Sequence, residues 1–195
     1  MQPFLFTLHH KKESEIKMDE QEIIDACMRE ESWARKKVYE MYAPTMMNLC
    51  LRYVGDQETA RDILQDGFIK VFTKIGSYSN KGVFAGWIHR VFVTTALEYL
   101  RKTDILRSTV DIDNYNEYLI DVNMSALDQL SVEDLMNCVK KLPAGYRTVF
   151  NMYAIEGYSH SEIAKALDIS VTTSKTQYLR ARSALQKSVK QLMGK

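Results

Sequence analysis

The 195-residue sequence lacks the features that define several large classes of protein. No run approaches the ~18 consecutive apolar residues that cross a bilayer, so we expect no membrane insertion. Only three cysteines occur, at wide spacing, which fits neither a disulfide framework nor a zinc site and is typical of a reducing cytoplasm. With three prolines and almost no strand-period alternation, the sequence predicts an all-α fold.

Signatures of catalysis and cofactor binding are also lacking. No glycine-rich phosphate loop, nucleophile motif or metal-ligand spacing occurs, so we expect no cofactor, no metal and no enzyme activity. His9 and His10 lie in residues 1–18, for which we predict a solvated tail rather than a metal site. The apolar patch of that tail precedes its basic residues, which is the reverse of a secretory signal.

Charge is distributed unevenly along a chain whose net charge is only +1. Residues 104–134 hold eight acidic side chains and one basic, whereas residues 135–195 hold ten basic and three acidic. Residues 175–195 carry six Lys or Arg and no acid. We therefore predict two small helical domains, residues 19–103 and 131–192, joined by a flexible acidic linker over residues 104–130.

The first block shows clear helical periodicity. The stretch "DQETARDILQDGFIKVFTKI" begins with Asp56 as a helix cap, and its apolar residues recur at three- and four-residue steps, which predicts one buried stripe. The stretch "FAGWIHRVFVTTALEYLRK" predicts a second long helix. Upstream, "WARKKVYEMYAPTMMNLCLRYV" predicts two helices hinged at Pro44, since proline suits the first turn of a helix.

The second block ends in two helices separated by a short turn. The segment "SHSE", Ser159 to Glu162, is a capping box that opens a helix of barely two turns, and Ser170 caps a longer one. Asp168 occupies the turn position where glycine is common, and aspartate tolerates the positive φ required there. This arrangement predicts a helix-turn-helix motif, whose second helix enters the major groove of DNA.

The second helix of the motif has distinct inward and outward sides. Predicted inward residues are Val171, Ser174, Tyr178, Ala181 and Leu185. The outward or edge positions offer hydroxyls, an amide and cations suited to base edges and phosphates: Thr172, Thr173, Lys175, Thr176, Gln177, Arg180 and Arg182. The alternative interpretation is an amphipathic helix whose basic face is only solvated. The capped helix directly before it favours DNA binding instead.

Both blocks resemble one protein family. "LPAGYRTVFNMYAIEGYSHSEIAKALDIS" and "TSKTQYLRARSALQK" are similar to region 4 of bacterial extracytoplasmic-function (ECF) sigma factors, the small members of the sigma-70 family. "YEMYAPTMMNLCLRYVGDQETARDILQDGFIKVFTKI" and "GWIHRVFVTTALEYLRK" resemble region 2, in the family's order. The resemblance implies a dissociable subunit that binds core RNA polymerase, recognises and melts promoter DNA, and starts transcription. It also implies an anti-sigma factor as a regulatory partner.

The resemblance further implies roles for individual residues. In this family, region 2 docks on the polymerase clamp through its second long helix. The resemblance therefore implies polymerase binding by the outward residues Arg61, Asp62, Gln65, Asp66 and Lys70. Capture of the minus-10 element as a single strand is assigned to Tyr78, Asn80, Lys81, Phe84, Trp87, Arg90 and Thr94. Of these, Trp87 is more typical of a core position, and Thr94 stands where family members often carry asparagine. Region 4 is expected to recognise the minus-35 element through the outward residues of its second helix.

Two other functions fit parts of the sequence. A stand-alone helix-turn-helix regulator explains residues 159–182 but not the region 2 resemblance, and it would bind duplex DNA without polymerase. A sigma-like decoy would only bind partners, an interpretation that Asp168 and Thr94 slightly favour. If the sigma interpretation holds, the linker must run stretched between promoter elements a couple of DNA turns apart, each turn about 34 Å.

Overall fold

The computed structural model describes residues 20–103 and 131–193, and these ranges are helical with short connections. The first helical group comprises α1 (Glu20–Met28), α2 (Ser32–Val54), α3 (Gln57–Lys74), a 3-10 turn (Ile75–Ser77) and α4 (Phe84–Lys102). The second comprises α5 (Val132–Lys140), α6 (Ala144–Phe150), a π-helical turn (Asn151–Ile155), α7 (His160–Leu167) and α8 (Val171–Met193). The predicted all-α class is confirmed for this part of the chain. The predicted tail, residues 1–18, and the predicted linker, residues 104–130, lie outside the described residues.

Local hydrogen bonds explain where several helices begin. The Asp56 side chain accepts a 2.8 Å hydrogen bond from the amide of Thr59 at the start of α3. Ser131 and Ser159 each form a capping box with an acidic residue three positions later, which satisfies amides that the helix itself leaves unpaired. The helix starts predicted at Asp56 and Ser159 are confirmed.

The predicted hinge at Pro44 is wrong, because α2 is one continuous helix that includes this proline. Proline removes one amide donor, which leaves the carbonyl of Glu40 without its helical partner. Both residues are exposed, so water can satisfy that carbonyl. Val38 and Leu49, on either side of the proline, are buried in the same core, and this packing keeps the two halves in line.

The first group packs around the apolar stripe predicted on α3. Ile63, Phe68 and Val71 are buried between α2 and α4. Helices α3 and α4 approach closely at Gly67, where a Cβ atom would lie only 2.3 Å from Cε1 of Phe92. The absence of a side chain at Gly67 therefore sets the spacing of these two helices.

The second group does not stand apart from the first. Val149, Met152, Ile163 and Leu167 belong to the same buried cluster as the core of the first group. A smaller cluster, formed by Leu142, Tyr146, Ala181 and Ala184, joins α6 to α8 within the second group. The two groups thus share apolar packing in addition to their own internal contacts.

Candidate nucleic-acid and polymerase interfaces

Helices α7 and α8 form the predicted helix-turn-helix. Helix α7 ends at Asp168, which adopts φ 56° and ψ 48°, the left-handed conformation predicted for this position. The amide of Ile169 then returns to the carbonyl of Ala164 at 3.0 Å, and Ser170 Oγ accepts a 2.9 Å hydrogen bond from the amide of Thr173. These local hydrogen bonds satisfy backbone groups at the end of α7 and at the start of α8. They keep the turn short and fix the direction of α8.

The outward side of α8 carries most of the predicted DNA-facing residues at the surface. Thr172, Thr173, Lys175, Thr176 and Arg182 are exposed, whereas Gln177 and Arg180 are half-buried. Arg180 Nη1 donates a 3.3 Å hydrogen bond to the Tyr146 hydroxyl, so this guanidinium is partly held against α6.

One inward residue of α8 was predicted incorrectly. Val171, the first residue of the helix, is 40% exposed. Ser174 and Ala181 are fully buried and Tyr178 and Leu185 are half-buried, as predicted.

A partly buried polar contact joins α8 to α7. His160 Nδ1 lies 2.9 Å from Ser174 Oγ, and the Tyr153 ring stacks on the imidazole at 4.2 Å. Burial of the ring, followed by the positive charge of Lys175, lowers the pKa of His160 below its ordinary value of 6.5. The imidazole is therefore neutral at pH 7, and it acts as a structural residue of the motif.

The predicted minus-10 loop joins the 3-10 turn to α4. Asn80 and Lys81 are exposed at its tip, where Asn80 adopts a positive φ of 53°. The Tyr78 hydroxyl donates a 2.6 Å hydrogen bond to the carbonyl of Gly82, which closes the loop. Phe84 differs from the expectation: it is 1% exposed, and its ring supports Tyr78 and Trp87 from the core side.

A groove of about 120 Å³ lies between α3 and α4 beside this loop. Its lining includes Lys70, Lys74, Trp87, Arg90, Thr94 and Glu98. Lys70 Nζ forms a 2.5 Å ion pair with Glu98, so the structure places Lys70 in this groove rather than on the outward face of α3. Thr94 Oγ1 donates a 2.9 Å hydrogen bond to the carbonyl of Arg90, so the hydroxyl proton of Thr94 is used within the helix.

The outward face of α3 carries the other residues predicted to bind polymerase. Arg61, Asp62, Gln65 and Asp66 are all exposed. The sequence analysis missed Ile69, which is 60% exposed next to Gln65 and Asp66 on this face. Ile69 could have been found from the sequence as an apolar residue outside the buried stripe of α3. An exposed apolar residue bordered by polar groups is typical of a contact surface.

Residues 20–103 and 131–193 include all three cysteines of the chain. Cys27, Cys50 and Cys138 are free and buried. The described helices include none that is both long and apolar enough to cross a membrane. Within the same residues, no group of three or more His, Cys, Asp or Glu side chains is placed to hold a metal ion.

Known protein families match both groups of helices. The family model "Sigma-70 region 2" matches residues 38–105, and "Sigma-70, region 4" matches residues 132–185. The ECF RNA polymerase sigma-E factor of Haemophilus influenzae is 27% identical over 188 residues, covering 90% of this chain and 98% of that protein. The ECF RNA polymerase sigma factor SigW of Bacillus subtilis is 29% identical over 166 residues, covering 80% and 88%.

A solved structure also matches in part. The sigma factor RpoE from Bartonella quintana, in complex with the anti-sigma factor NepR, aligns with 80% of this chain and 96% of that chain, at 20% identity and a TM-score of 0.48.

The two matched regions occur in this order, and the second contains the helix-turn-helix; together they define a promoter-directing subunit of RNA polymerase, and the chain belongs to the sigma-70 family. Within that family it is an extracytoplasmic-function sigma factor, as are these two relatives, which cover 90% and 80% of its length. The resemblance stated from the sequence is thereby confirmed.

Proposed function

We propose that this sigma factor docks on the clamp of core RNA polymerase through the outward face of α3 and recognises two promoter elements on separate surfaces. Helix α8 contacts the minus-35 element as duplex, and the α3–α4 groove with its adjoining loop holds the minus-10 element as a single strand. The observation that carries the proposal is the presence of two exposed, cation-bearing surfaces, one on each helical group. The protein itself is no enzyme, and it acts in the cytoplasm.

The proposed duplex contact follows from the N-terminal half of α8. Thr172, Thr173 and Thr176 offer hydroxyls at the end of the helix that enters the major groove first. Lys175 and Arg182 add positive charge, and no carboxylate of α8 opposes the phosphates. Hydroxyls therefore contribute to base selection, while the cations supply salt-dependent affinity.

The proposed single-strand contact uses the groove and the loop together. Trp87 is half-buried, so it offers part of its ring to an unstacked base, with Arg90 and Lys74 exposed beside it for phosphates. Lys70 joins this surface, because its ion pair with Glu98 directs it into the groove. Phe84 acts indirectly by supporting Trp87, whose ring is stacked on it with an interplanar angle of 11°.

The proposed polymerase contact is centred on Ile69. An apolar side chain at the centre, with Asp62, Gln65 and Asp66 around it, matches the usual arrangement of a protein interface. Arg61 lies at the edge of the same face. An anti-sigma factor is the regulatory partner we propose from membership of the ECF subfamily.

Reconstituted transcription tests this function. Core RNA polymerase from the same organism is combined with a promoter library, with and without the protein, and transcripts are sequenced. We expect transcripts that depend on the protein and share two upstream elements. The substitution Lys175→Gln should weaken them, whereas Lys187→Gln, an exposed cation more than three turns further along α8, should have little effect.

Two other results would support different functions. Stable binding to core polymerase without any dependent transcript would identify a decoy. Failure to bind polymerase, together with selective capture of duplex DNA, would identify a stand-alone regulator.

A further inference from the structure

The groove between α3 and α4 contains a side chain that phosphate binding does not explain. Three cations, Lys70, Lys74 and Arg90, line this groove, and among its described lining residues Glu98 is the one acidic side chain. A carboxylate on a DNA-binding surface repels phosphates and lowers the affinity that the cations supply. A group that weakens binding to every strand can nevertheless improve the discrimination between strands.

Lys70 holds the Glu98 carboxylate on the open side of the groove. Lys70 Nζ lies 2.5 Å from Glu98 Oε2, and the two side chains are 30% and 48% exposed, respectively. An ion pair as exposed as this one adds little to stability, so folding alone does not account for it. Because Lys70 contacts Oε2, the lone pairs of Oε1 remain available to a donor that enters the groove from solvent.

Thr94 presents a second acceptor on the same side of α4. Arg90, Thr94 and Glu98 follow one another at four-residue steps, so they lie along one face of the helix. The Thr94 hydroxyl donates its proton to the carbonyl of Arg90, which leaves its oxygen able only to accept. Glu98 is likewise an acceptor. Towards a base in the groove, these two side chains therefore offer acceptors, and neither of them offers a donor.

Glu98 and Trp87 lie far enough apart to contact different nucleotides. They are eleven residues apart on α4, which corresponds to about 16 Å along the helix. Successive nucleotides of one DNA strand advance by about 3.4 Å in duplex geometry. Stacking on an aromatic ring accepts any base, whereas a hydrogen bond to a carboxylate depends on which base is present. The two ends of the groove are therefore suited to different tasks.

The four bases differ in what they offer to an acceptor. Cytosine, adenine and guanine each carry an exocyclic amino group, which donates, whereas thymine carries carbonyl oxygens and a methyl group. Carboxylates that contact DNA bases accept from the amino group of cytosine. A thymine carbonyl facing Glu98 would oppose two acceptors and leave both without a partner, which is unfavourable.

We propose that Glu98 is a specificity-determining residue of the minus-10 groove: its carboxylate accepts a hydrogen bond from the exocyclic amino group of one base, cytosine before the others, and disfavours thymine at that position. Lys70 is a positioning residue, because it holds the carboxylate that contacts the base. The inference rests on the proposed function, since it requires the minus-10 strand to lie in this groove.

Base selection by the holoenzyme tests this role. Wild-type protein and the variants Glu98→Gln and Glu58→Gln are each combined with core RNA polymerase and the same promoter library. Glutamine keeps the size of glutamate, but its amide can donate as well as accept. We expect Glu98→Gln to lower the preference for an amino-bearing base over thymine by about tenfold at one position of the minus-10 element. Glu58→Gln makes the same charge change at an exposed residue in the first turn of α3 and should leave all preferences unchanged.

Removal of the amino group from the DNA tests the same contact from the other side. Holoenzyme binding is measured for a non-template strand with the selected base and for the same strand with an analogue that lacks only the amino group: 2-pyrimidinone for cytosine, purine for adenine or hypoxanthine for guanine. Wild type should lose about tenfold in affinity. Glu98→Gln should lose about threefold, because a hydrogen bond to a neutral acceptor is roughly half as strong.

Lys70→Gln separates base selection from the placement of charge. We expect it to lower the affinity for all strands by a similar factor, whereas Glu98→Gln should raise the affinity for thymine-containing strands most. Base preferences that are equal for wild type and Glu98→Gln, with all strands bound more tightly, would overturn the inference, since Glu98 would then act on phosphates alone. The same changes in both variants would also overturn it, because the carboxylate would act only by placing Lys70.

Failure of the proposed function has a different signature. Wild-type holoenzyme would then bind no single strand and show no base preference anywhere in the minus-10 region, and the role of Glu98 would be refuted with it. Binding of the single strand with a preference that Glu98→Gln leaves unchanged would refute the role of Glu98 and leave the proposed function supported.

Discussion

Helices α3 and α4 are close enough at Gly67 that we expect the substitution Gly67→Ala to destabilise the protein. A Cβ atom there would lie 2.3, 2.6 and 2.7 Å from three atoms of the Phe92 ring. That ring is fully buried and packs edge-on against Phe68 at 5.1 Å. It cannot turn aside without displacing its neighbours, so the helices must separate.

The net effect is the difference between two opposing contributions. Alanine gains about 0.8–1 kcal/mol over glycine in a helix interior. Overpacking a core costs about 1–3 kcal/mol or more, and three contacts this short place the cost at or above the upper end. We therefore expect a net loss of about 2 kcal/mol, which corresponds to a decrease in Tm of about 4–8 °C for a chain of this size.

Thermal and urea unfolding followed by circular dichroism measure this loss. The control is Gly86→Ala on α4, where nothing lies within 4 Å of the added Cβ atom, and we expect its Tm to stay the same or rise slightly. A Tm for Gly67→Ala equal to or above that of Gly86→Ala would refute the proposed packing of α3 on α4. Because the minus-10 groove lies between these helices, transcription by folded Gly67→Ala should also decrease.

Three more measurements address the interfaces. Lys175→Gln should reduce the slope of log K against log salt for duplex binding by about 1 and weaken all sequences similarly, as titrations at several salt concentrations would show. Ile69→Ser should weaken binding to core polymerase by about tenfold or more, whereas Val83→Ser, at another exposed apolar residue, should not; equal losses would argue against the α3 face. Since the pKa of His160 is lowered in the folded state, its contribution to stability is complete above pH 6.5 and is lost as the pH falls below that value. The Tm difference between wild type and His160→Gln should therefore shrink on acidification, and a difference independent of pH would contradict this.

Features that depend on neighbouring residues in the chain were predictable from the sequence. The capping boxes at Ser131 and Ser159, the cap at Asp56 and the turn at Asp168 each involve hydrogen bonds within three or four residues. The buried stripe of α3 follows from helical period alone. These local rules were enough to define the helix-turn-helix and, together with the family resemblance, its class.

Features that depend on distant parts of the chain were not predictable in this way. Arg147 resembles a surface cation in the sequence, yet its partners are carbonyl groups 94 and 93 residues away. Phe84 was assigned to DNA binding because an aromatic residue suits base stacking. In the structure it packs against the rings of Tyr42 and Tyr78 and belongs to the core. Pro44 suggested a hinge, since proline suits the first turn of a helix. The packing on both sides of it, which keeps α2 straight, cannot be deduced from the proline itself.

The π-helical turn after α6 determines the side of the helix on which Glu156 lies. In a regular α-helix, residues five positions apart point in different directions, since each residue adds about 100°. Here the amide of Glu156 bonds to the carbonyl of Asn151 at 2.9 Å, five residues back, so the wider turn brings Glu156 round to the side of Arg147 and Asn151. Deleting one residue between Asn151 and Glu156 would restore ordinary helical winding, and Glu156, then four positions after Asn151, would still lie on the same side of the helix. The wider turn therefore accommodates one extra residue without changing the side on which Glu156 pairs with Arg52, and a related chain one residue shorter at this point could keep the same ion pair.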